Sequence, residues 1–309
     1  KFTYDKGDLL ITLFNDPAQG IRIAYFFDGR NVFKIEKLQF ADGSSFNLAE
    51  SGLTFHQSDA AEQSYGTAYD DVIYGNNGDD VIYAKGGSDI IIGGKGDDIL
   101  HGDDPYNGED GNDTYVWNLG DGFDKLHDER GNNIIRFGDG ISLSDLTFRH
   151  KNSDFGLDIY VNGDCTQGMR LVNYFYNDRG IHYTLQFADG TTLNLAESGL
   201  VLHQDDAGGS CSGRGHDDVI YGGSGDDTIY SYAGNDTIIG GKGNDNLNGG
   251  EGSDTYVWNL GDGFDVITDR YNETDTIRFG EGISLNQLAF ERDNHHLYVY
   301  VNGDRTQGV

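Results

Sequence analysis

Between residues 213 and 257, a large apolar side chain recurs every nine positions, and an aspartate stands two positions before each one. The apolar residues are Ile220, Ile229, Ile238, Leu247 and Tyr256. The aspartates are Asp218, Asp227, Asp236, Asp245 and Asp254. Glycine recurs at the first, second and fourth places of the unit, where it permits the positive φ of a tight turn. The last three residues of each unit therefore predict a short strand whose eighth-place side chain points inward.

The same nine-residue unit occurs earlier in the chain, between residues 66 and 116. Four consecutive units run from 66 to 101, and an insertion at 102–107 precedes a fifth unit at 108–116. Their sixth-place aspartates are Asp71, Asp80, Asp89, Asp98 and Asp113. Two blocks with one spacing predict a parallel β-roll that binds Ca²⁺. The alternative interpretation is a loop rich in glycine and aspartate that binds no metal. Such a loop does not require constant spacing.

The chain also repeats itself over a longer distance. The sequence FADGSSFNLAESGL at 40–53 returns as FADGTTLNLAESGL at 187–200, and TYVWNLGDGFD at 114–124 returns at 255–265. Because the chain begins and ends inside these repeats, we expect it to be a fragment of a longer array. The predicted segments are a partial β linker domain at 1–65, a calcium roll at 66–116, a complete β linker domain at 117–212, a second calcium roll at 213–257 and a partial linker at 258–309.

The linkers contain short segments rich in β-branched and aromatic residues, which predict strands. In the first linker these segments are 9–14, 20–27 and 33–40; in the second they are TYVWN, KLHD, NIIRF, LTFRH, LDIYV, MRLVNYF, IHYTLQF and TTLNL. Brief helical turns are expected at 47–53 and 142–146. The predicted fold class is all-β, with parallel β-roll (β-solenoid) blocks alternating with mostly antiparallel β linker domains.

The charge of the chain narrows the classes of partner. Its 52 acidic and 21 basic residues give a net charge of −31, which argues against nucleic acid and against anionic membrane surfaces. Carboxylates aligned on successive turns repel one another, and divalent cations would relieve that repulsion. The sequence has no apolar run of about 18 residues and no basic, apolar start, so we predict neither a membrane-spanning segment nor a signal peptide.

The sequence offers little for catalysis. GSCSG at 209–213 has the outline of a nucleophile elbow, but it leads into a roll instead of a helix. His295 and His296 would point to opposite faces of a strand, which does not suit zinc. Cys165 and Cys211 do not form a disulfide framework, although a bond between them stays open. We therefore predict that this chain is not an enzyme.

The nonapeptide blocks resemble the repeats-in-toxin (RTX) family. The pattern YVWNLGDGFD, followed by IRFG and GISL, resembles the haemolysin-type calcium-binding related domain. Their alternation is similar to that of large iron-regulated RTX proteins and toxins of Gram-negative bacteria. The resemblance implies a right-handed roll with two nonapeptides per coil. It also implies an unfolded chain that is exported by type I secretion machinery and folds outside the cell, as a secreted protein, with about three or more calcium ions per block.

The resemblance implies that sixth-place aspartates two units apart share a calcium ion. Such pairs are Asp80 with Asp98, Asp227 with Asp245 and Asp236 with Asp254. Turn carbonyls complete the oxygen shell. In the first block these belong to Asn76, Gly78, Lys85, Gly87, Gly94 and Gly96; in the second they belong to Gly223, Gly225, Tyr232, Gly234, Gly241, Gly243, Gly250 and Gly252.

The sequence departs from the family pattern at several of the remaining candidate ligands, and these departures weaken some of them. Tyr69 and His216 replace the fourth-place glycine before Asp71 and Asp218, which weakens both as ligands, and the insertion weakens the pair Asp89 with Asp113. Degenerate repeats further along add three candidates, whose alternative role is to cap turns. These are Asp124, Asp265 and Asp275.

The seventh-place residues, which point outward, differ between the blocks. They are Val72, Val81, Ile90 and Ile99 in the first block, and Val219, Thr228, Thr237 and Asn246 in the second. We expect the outer face of the first block to be covered and that of the second to be more solvated.

Three functions fit this sequence. The favoured one is a calcium-binding RTX segment of a toxin or virulence exoprotein. The alternatives are an adhesin that binds a host surface receptor or glycan through Tyr174, Phe175 and Tyr176, and the calcium-stabilised tail of a secreted enzyme.

Overall fold

The computed structural model describes the 309-residue chain with the exception of residues 6–7, 14–15, 25–34, 49–50, 104–110, 129, 152–154, 177–181, 205–207 and 270–272. The strands in the first half are β1 (Phe2–Asp5), β2 (Asp8–Leu13), β3 (Asp16–Ile23), β4 (Lys37–Gln39), β5 (Ser45–Asn47), β6 (Thr54–His56), β7 (Gln63–Tyr65), β8 (Val72–Asn77), β9 (Val81–Lys85), β10 (Ile90–Lys95), β11 (Ile99–Asp103), β12 (Thr114–Trp117), β13 (Phe123–His127), β14 (Asn132–Phe137), β15 (Leu146–Lys151) and β16 (Gly156–Val161).

The second half continues with β17 (Asp164–Leu171), β18 (His182–Gln186), β19 (Thr192–Asn194), β20 (Val201–His203), β21 (Ser210–Ser212), β22 (Val219–Ser224), β23 (Thr228–Tyr230), β24 (Thr237–Lys242), β25 (Asn246–Asn248), β26 (Thr255–Trp258), β27 (Val266–Ile267), β28 (Thr276–Phe279), β29 (Leu288–Arg292), β30 (Leu297–Val301) and β31 (Asp304–Gly308). In the described part of the chain, the helical elements are two 3₁₀ turns, Leu143–Asp145 and Leu285–Gln287. The predicted all-β class is confirmed. Of the residues that the structure describes, none forms a helix with the length and apolarity that crossing a membrane requires.

The chain forms two compact units, Lys1–Leu146 with Ile159–Ala196, and Thr147–Asp158 with Glu197–Val309. In the first unit, β6, β8, β10, β12, β14 and β18 are successive parallel neighbours in one sheet, while β7, β9, β11, β13 and β17 are successive parallel neighbours in another. Val72 pairs with Ile90, and Val81 pairs with Ile99. Successive nonapeptides therefore alternate between two sheets, and each coil contains two of them.

The second unit repeats this arrangement. Strands β20, β22, β24, β26 and β28 follow one another in parallel, as do β21, β23, β25 and β27. In the described part of the chain, antiparallel pairs join consecutive strands, among them β29–β30–β31 in this unit and β1–β2–β3 in the first. The linker strands nearest each roll thus extend its parallel sheets.

The core of each roll is a stack of eighth-place side chains, as the sequence predicts. In the first roll these are Ile73, Ile82, Ile91, Leu100 and Tyr115; in the second they are Ile220, Ile229, Ile238, Leu247 and Tyr256. All ten are at most 2 % exposed. Burying a large aliphatic side chain contributes about 1.5–3 kcal/mol, so these stacks hold the two sheets of each roll together.

Two expectations were wrong. The segment MRLVNYF was expected to be one strand, but β17 ends at Leu171 and a turn follows, closed by the Tyr176 N–H donating to the Asn173 carbonyl. The outer faces of the rolls do not differ as expected. Seventh-place residues are half-buried in both rolls, with Asn246 exposed, because in-register neighbours such as Val72 and Ile90 shield each other along the stack.

The other segment predictions agree with the structure where it describes them. The 3₁₀ turn at Leu143–Asp145 lies within the predicted helical turn at 142–146, and the Ser142 N–H donates to Asp145 Oδ2 at 2.8 Å. Most of 25–34 and the residues 49–50 lie outside the described part, so the strand and turn predicted there stay predictions.

Candidate calcium sites

The sixth-place aspartates of each roll form two aspartate columns, one at the turns leading into each sheet. In the first unit the columns are Asp71–Asp89–Asp113–Asn133 and Asp80–Asp98–Asp124. In the second they are Asp218–Asp236–Asp254–Asp275 and Asp227–Asp245–Asp265. Within a column, the main-chain N–H of each residue donates to the side-chain Oδ1 of the next at 2.6–3.1 Å.

The columns bring together each aspartate pair that the sequence predicts. Asp80 and Asp98, Asp227 and Asp245, and Asp236 and Asp254 are direct neighbours. The insertion does not separate Asp89 from Asp113, because the Asp89 N–H still donates to Asp113 Oδ1 at 2.8 Å. The three candidates from degenerate repeats continue the columns as well, and Asn133 occupies the position that Asp275 has in the second unit.

The fourteen residues predicted to offer turn carbonyls share one backbone conformation. All have positive φ, between 76° and 140°. Three of them, Asn76, Lys85 and Tyr232, are not glycine, and their φ values of 80°, 82° and 76° carry steric strain that a glycine avoids. The stacked turns approach closely, since a Cβ on Gly94 would collide with the Asn76 carbonyl oxygen of the coil before it. The second and fourth places thus direct carbonyls towards the gap between successive turns.

Several column carboxylates are buried with one oxygen that accepts no hydrogen bond. These oxygens include the Oδ2 atoms of Asp80, Asp89, Asp98, Asp113, Asp245 and Asp254. Buried polar atoms normally have a partner, because an unsatisfied one loses its hydration without compensation. The entering units differ, since Asp71 Oδ2 accepts from the Thr67 N–H and Asp218 Oδ2 accepts from the Arg214 N–H. The inner carboxylates therefore have the greater need of a cation.

Burial makes ionisation of these carboxylates costly. It raises the pKa of Asp89 to about 9, with a further contribution from the negative charge of Asp113. It likewise raises the pKa of Asp124 to about 9 beside Asp98, and that of Asp265 to about 8 beside Asp245. A divalent cation between stacked carboxylates offsets both the lost hydration and the mutual repulsion.

The sequence profile of the RTX calcium-binding nonapeptide repeat matches residues 58–91, 65–100, 83–115, 118–142, 212–246, 221–256 and 231–267. The profile of the haemolysin-type calcium binding protein related domain matches residues 8–50. Both rolls of the chain consist of RTX calcium-binding repeats. Among curated proteins, none matches this chain. The RTX match at 118–142 covers Asp124 and Asn133, so the repeat signal extends past the predicted end of the first roll.

Calcium fits the residues that the RTX rolls present. The columns and turns offer carboxylate and carbonyl oxygens, which Ca²⁺ takes six to eight at a time in flexible geometry. The unpartnered Oδ2 atoms show that the folded rolls leave acceptors unused. Several ions would be held by the column aspartates with the turn carbonyls, where they would neutralise charge and tie one coil to the next.

Sequence reasoning missed three aspartates close to the columns. Asp103 and Asp128 lie beside Asp113, and Asp269 lies beside Asp254 and Asp275. None stands at the sixth place of a nonapeptide. A usable signal existed, because Asp128 and Asp269 occupy equivalent positions in the two copies, four residues after Asp124 and Asp265.

The structure also bears on the cysteines. Cys165 and Cys211 are both free thiols. Cys211 is 0 % exposed, and burial together with the charges of Asp227 and Asp218 raises its pKa to about 12. A thiol with such a pKa is a poor nucleophile at neutral pH, so GSCSG lacks the activation that a nucleophile elbow needs.

Proposed function

We propose that this chain is a non-catalytic, calcium-gated folding segment of an RTX exoprotein of the toxin or virulence class. The observation that carries the proposal is the set of buried column Oδ2 atoms without a hydrogen-bond partner. In a roll without calcium these atoms are desolvated and uncompensated. With calcium they become ligands, so the ion stabilises the folded chain far more than the unfolded chain.

The size of this effect is sufficient to gate folding. An ion at ten times its dissociation constant adds about 1.4 kcal/mol per site. Several sites together therefore approach the 5–15 kcal/mol that is typical of a domain's whole stability. Extracellular calcium modules bind at about 10⁻⁴–10⁻³ M, so such sites fill outside a cell and stay empty in the cytosol.

The charge of the chain suits export before folding. At −31 the metal-free chain repels itself and resists collapse, which supports passage through type I secretion machinery in an extended state. Folding would follow in the calcium-rich exterior. The toxin or virulence class of the parent protein is proposed by analogy with the alternation of rolls and linkers.

The adhesin alternative gains no support from the aromatic cluster that suggested it. Tyr174 is 2 % exposed and donates its hydroxyl to the Leu195 carbonyl at 2.8 Å, and Phe175 packs edge-on against it. Tyr176 alone of the three is exposed. The cluster thus contributes mainly to packing.

Far-UV circular dichroism during a calcium titration tests the proposal. We expect a disordered spectrum in EDTA, a cooperative gain of β signal at submillimolar to millimolar calcium, and reversal on renewed chelation. Magnesium at equal concentration is the matched control, because its rigid octahedral preference suits these turns poorly. A chain with its full β signal in EDTA would refute calcium-gated folding.

A further inference from the structure

Three carboxylates meet where the first roll ends, and only one of them belongs to a nonapeptide. Asp103 is the last residue of β11, Asp113 directly precedes β12, and Asp128 directly follows β13. One oxygen from each lies within 4.8 Å of the others. Asp113 is 0 % exposed, Asp128 2 % and Asp103 9 %. Buried like charges at this separation repel strongly and call for a counter-charge.

Two buried oxygens, one next to this cluster and one within it, have no hydrogen-bond partner. The Tyr183 hydroxyl is on a side chain that is 1 % exposed, and the charges that act on it are those of Asp128, Asp103 and Asp113. The other oxygen is Asp113 Oδ2. Tyr115 donates its own hydroxyl to Asp128 Oδ2 at 2.7 Å, which fixes that carboxylate. Buried phenol and carboxylate oxygens that have no hydrogen-bond partner and experience the charge of these three carboxylates indicate a cation as a partner.

Gly102 leaves these oxygens room to converge. A Cβ at this position would collide with Asp113 Oδ2 and the Tyr115 hydroxyl, and would lie 2.8 Å from Asp128 Oδ2. Any larger residue would therefore occupy the space that the three oxygens border.

A related arrangement occurs at the exit of the second roll, where Asp254 and Asp269 correspond to Asp113 and Asp128, and the less buried Asp275 supplies the third carboxylate. Asp254, Asp269 and Asp275 each place one oxygen within 4.8 Å of the others. Tyr256 donates to Asp269 Oδ2 at 2.7 Å, as Tyr115 does to Asp128. Asp254 Oδ2 accepts no hydrogen bond, and a Cβ on Gly249 would collide with it. The recurrence of tyrosine, aspartate and glycine in one geometry indicates one shared role.

We propose that each roll-exit triad, Asp103–Asp113–Asp128 and Asp254–Asp269–Asp275, binds a calcium ion in addition to those held between sixth-place aspartates. The inference rests on the calcium-binding function proposed above. Its ligands are hard oxygens, which suit Ca²⁺ and not a softer metal. Because the first triad joins the ends of β11 and β13 to the start of β12, its ion ties the last coil to the linker strand that follows.

Native mass spectrometry of the full chain in calcium tests this by counting bound ions. We expect Asp128→Asn and Asp269→Asn each to lower the count by one, and the double variant to lower it by two. Neither residue belongs to a nonapeptide, so the ions between sixth-place aspartates remain. Asp158→Asn, which removes a buried carboxylate of β16 that belongs to neither triad, is the matched control and keeps the wild-type count.

An unchanged count in folded Asp128→Asn and Asp269→Asn overturns the inference while leaving calcium-gated folding intact. A wild-type chain that binds no calcium defeats the proposed function instead. If either variant fails to fold, anomalous diffraction from wild-type crystals grown in calcium decides the question. A calcium peak among the three carboxylates of a triad supports the site, and a fully occupied roll without that peak overturns it.

Discussion

The main-chain N–H of Asp80 donates to Oδ1 of Asp98, eighteen residues later, at 2.8 Å. Asp98 in turn leaves its Oδ2 buried with no hydrogen-bond partner. One carboxylate thus has two roles, since Oδ1 fixes the register between coils and Oδ2 remains as a metal ligand. This division separates the contribution of the backbone from that of calcium.

Asp98→Asn tests directly whether Oδ1 and Oδ2 have these separate roles. The amide oxygen keeps the acceptor for the Asp80 N–H, while the charge and the second oxygen are lost. We expect stability in calcium to fall by about 1.4 kcal/mol, the contribution of one site at ten times its dissociation constant. Without calcium, wild type and variant should both be disordered at neutral pH, so the difference should appear in calcium alone. Thermal melts in calcium measure the loss, and circular dichroism in EDTA checks the metal-free chain.

Asp42→Asn is the matched control for Asp98→Asn. Asp42 also accepts from a backbone N–H, that of Ser44 at 2.9 Å, but it lies in an exposed turn. Asp42→Asn should therefore not alter the stability that calcium adds. Equal losses for both variants would contradict a metal-binding role for Asp98.

The sequence predicted the columns well where spacing is constant and poorly where it changes. From Asp245 to Asp265 the separation is twenty residues instead of eighteen. The difference is accommodated by a tight turn in which the Asn259 N–H donates to Asp262 Oδ2 at 2.6 Å, with the equivalent pair Asn118 and Asp121 in the first unit. Register across such a turn depends on its conformation, which counting residues does not reveal.

The triads were less accessible to sequence reasoning for a related reason. Asp128 approaches Asp113 only because β13 and β12 belong to consecutive half-coils that lie in different sheets. A nonapeptide count treats both stretches as linker. The outer-face prediction failed because it assigned shielding to a covering layer, whereas parallel neighbours such as Val72 and Ile90 already provide it.

Gly94→Ala should abolish stacking of the first roll. Gly94 has φ of 98°, and an added Cβ would collide with the Asn76 carbonyl oxygen. Left-handed strain alone costs about 1–2 kcal/mol, and the backbone collision adds to it. We expect loss of calcium-induced β signal from this roll, which circular dichroism measures.

Gly190→Ala introduces the left-handed backbone strain without a collision of the added Cβ. Gly190 has φ of 87°, but nothing lies within 4 Å of the added Cβ. This variant should lose only about 1–2 kcal/mol and keep the calcium response. Equal behaviour of the two alanine variants would show that close turn stacking is not required.

Stability without calcium should fall as pH rises. In the metal-free fold, burial raises the pKa of Asp89 and of Asp124 from 3.8 to about 9. The folded state therefore binds more protons than the unfolded state between about pH 4 and pH 9, and the stability present below pH 4 is lost through that window. In EDTA, the far-UV β signal should therefore be greater at pH 5 than at pH 8.

In calcium, stability should instead rise with pH, because each ion displaces protons from the carboxylates that it binds. Calorimetric titration should show tighter binding at pH 8 than at pH 6, with proton release that depends on the buffer. A far-UV β signal in EDTA that does not differ between pH 5 and pH 8 would contradict buried, protonated columns.

The two native cysteines report folding of the second roll without an engineered labelling site. Cys211 lies in β21, is 0 % exposed and pairs in register with Ile229 of β23, whereas Cys165 in β17 is exposed. In calcium we expect a maleimide to label Cys165 alone. After chelation the roll opens and both thiols should react, which mass spectrometry counts as one adduct against two.

Cys165→Ser, the matched variant, should be unlabelled in calcium and singly labelled in EDTA. Rapid labelling of Cys211 in calcium would contradict the buried roll core. Continued protection of Cys211 in EDTA would contradict calcium-gated folding, because exposure of the core would then not follow calcium occupancy.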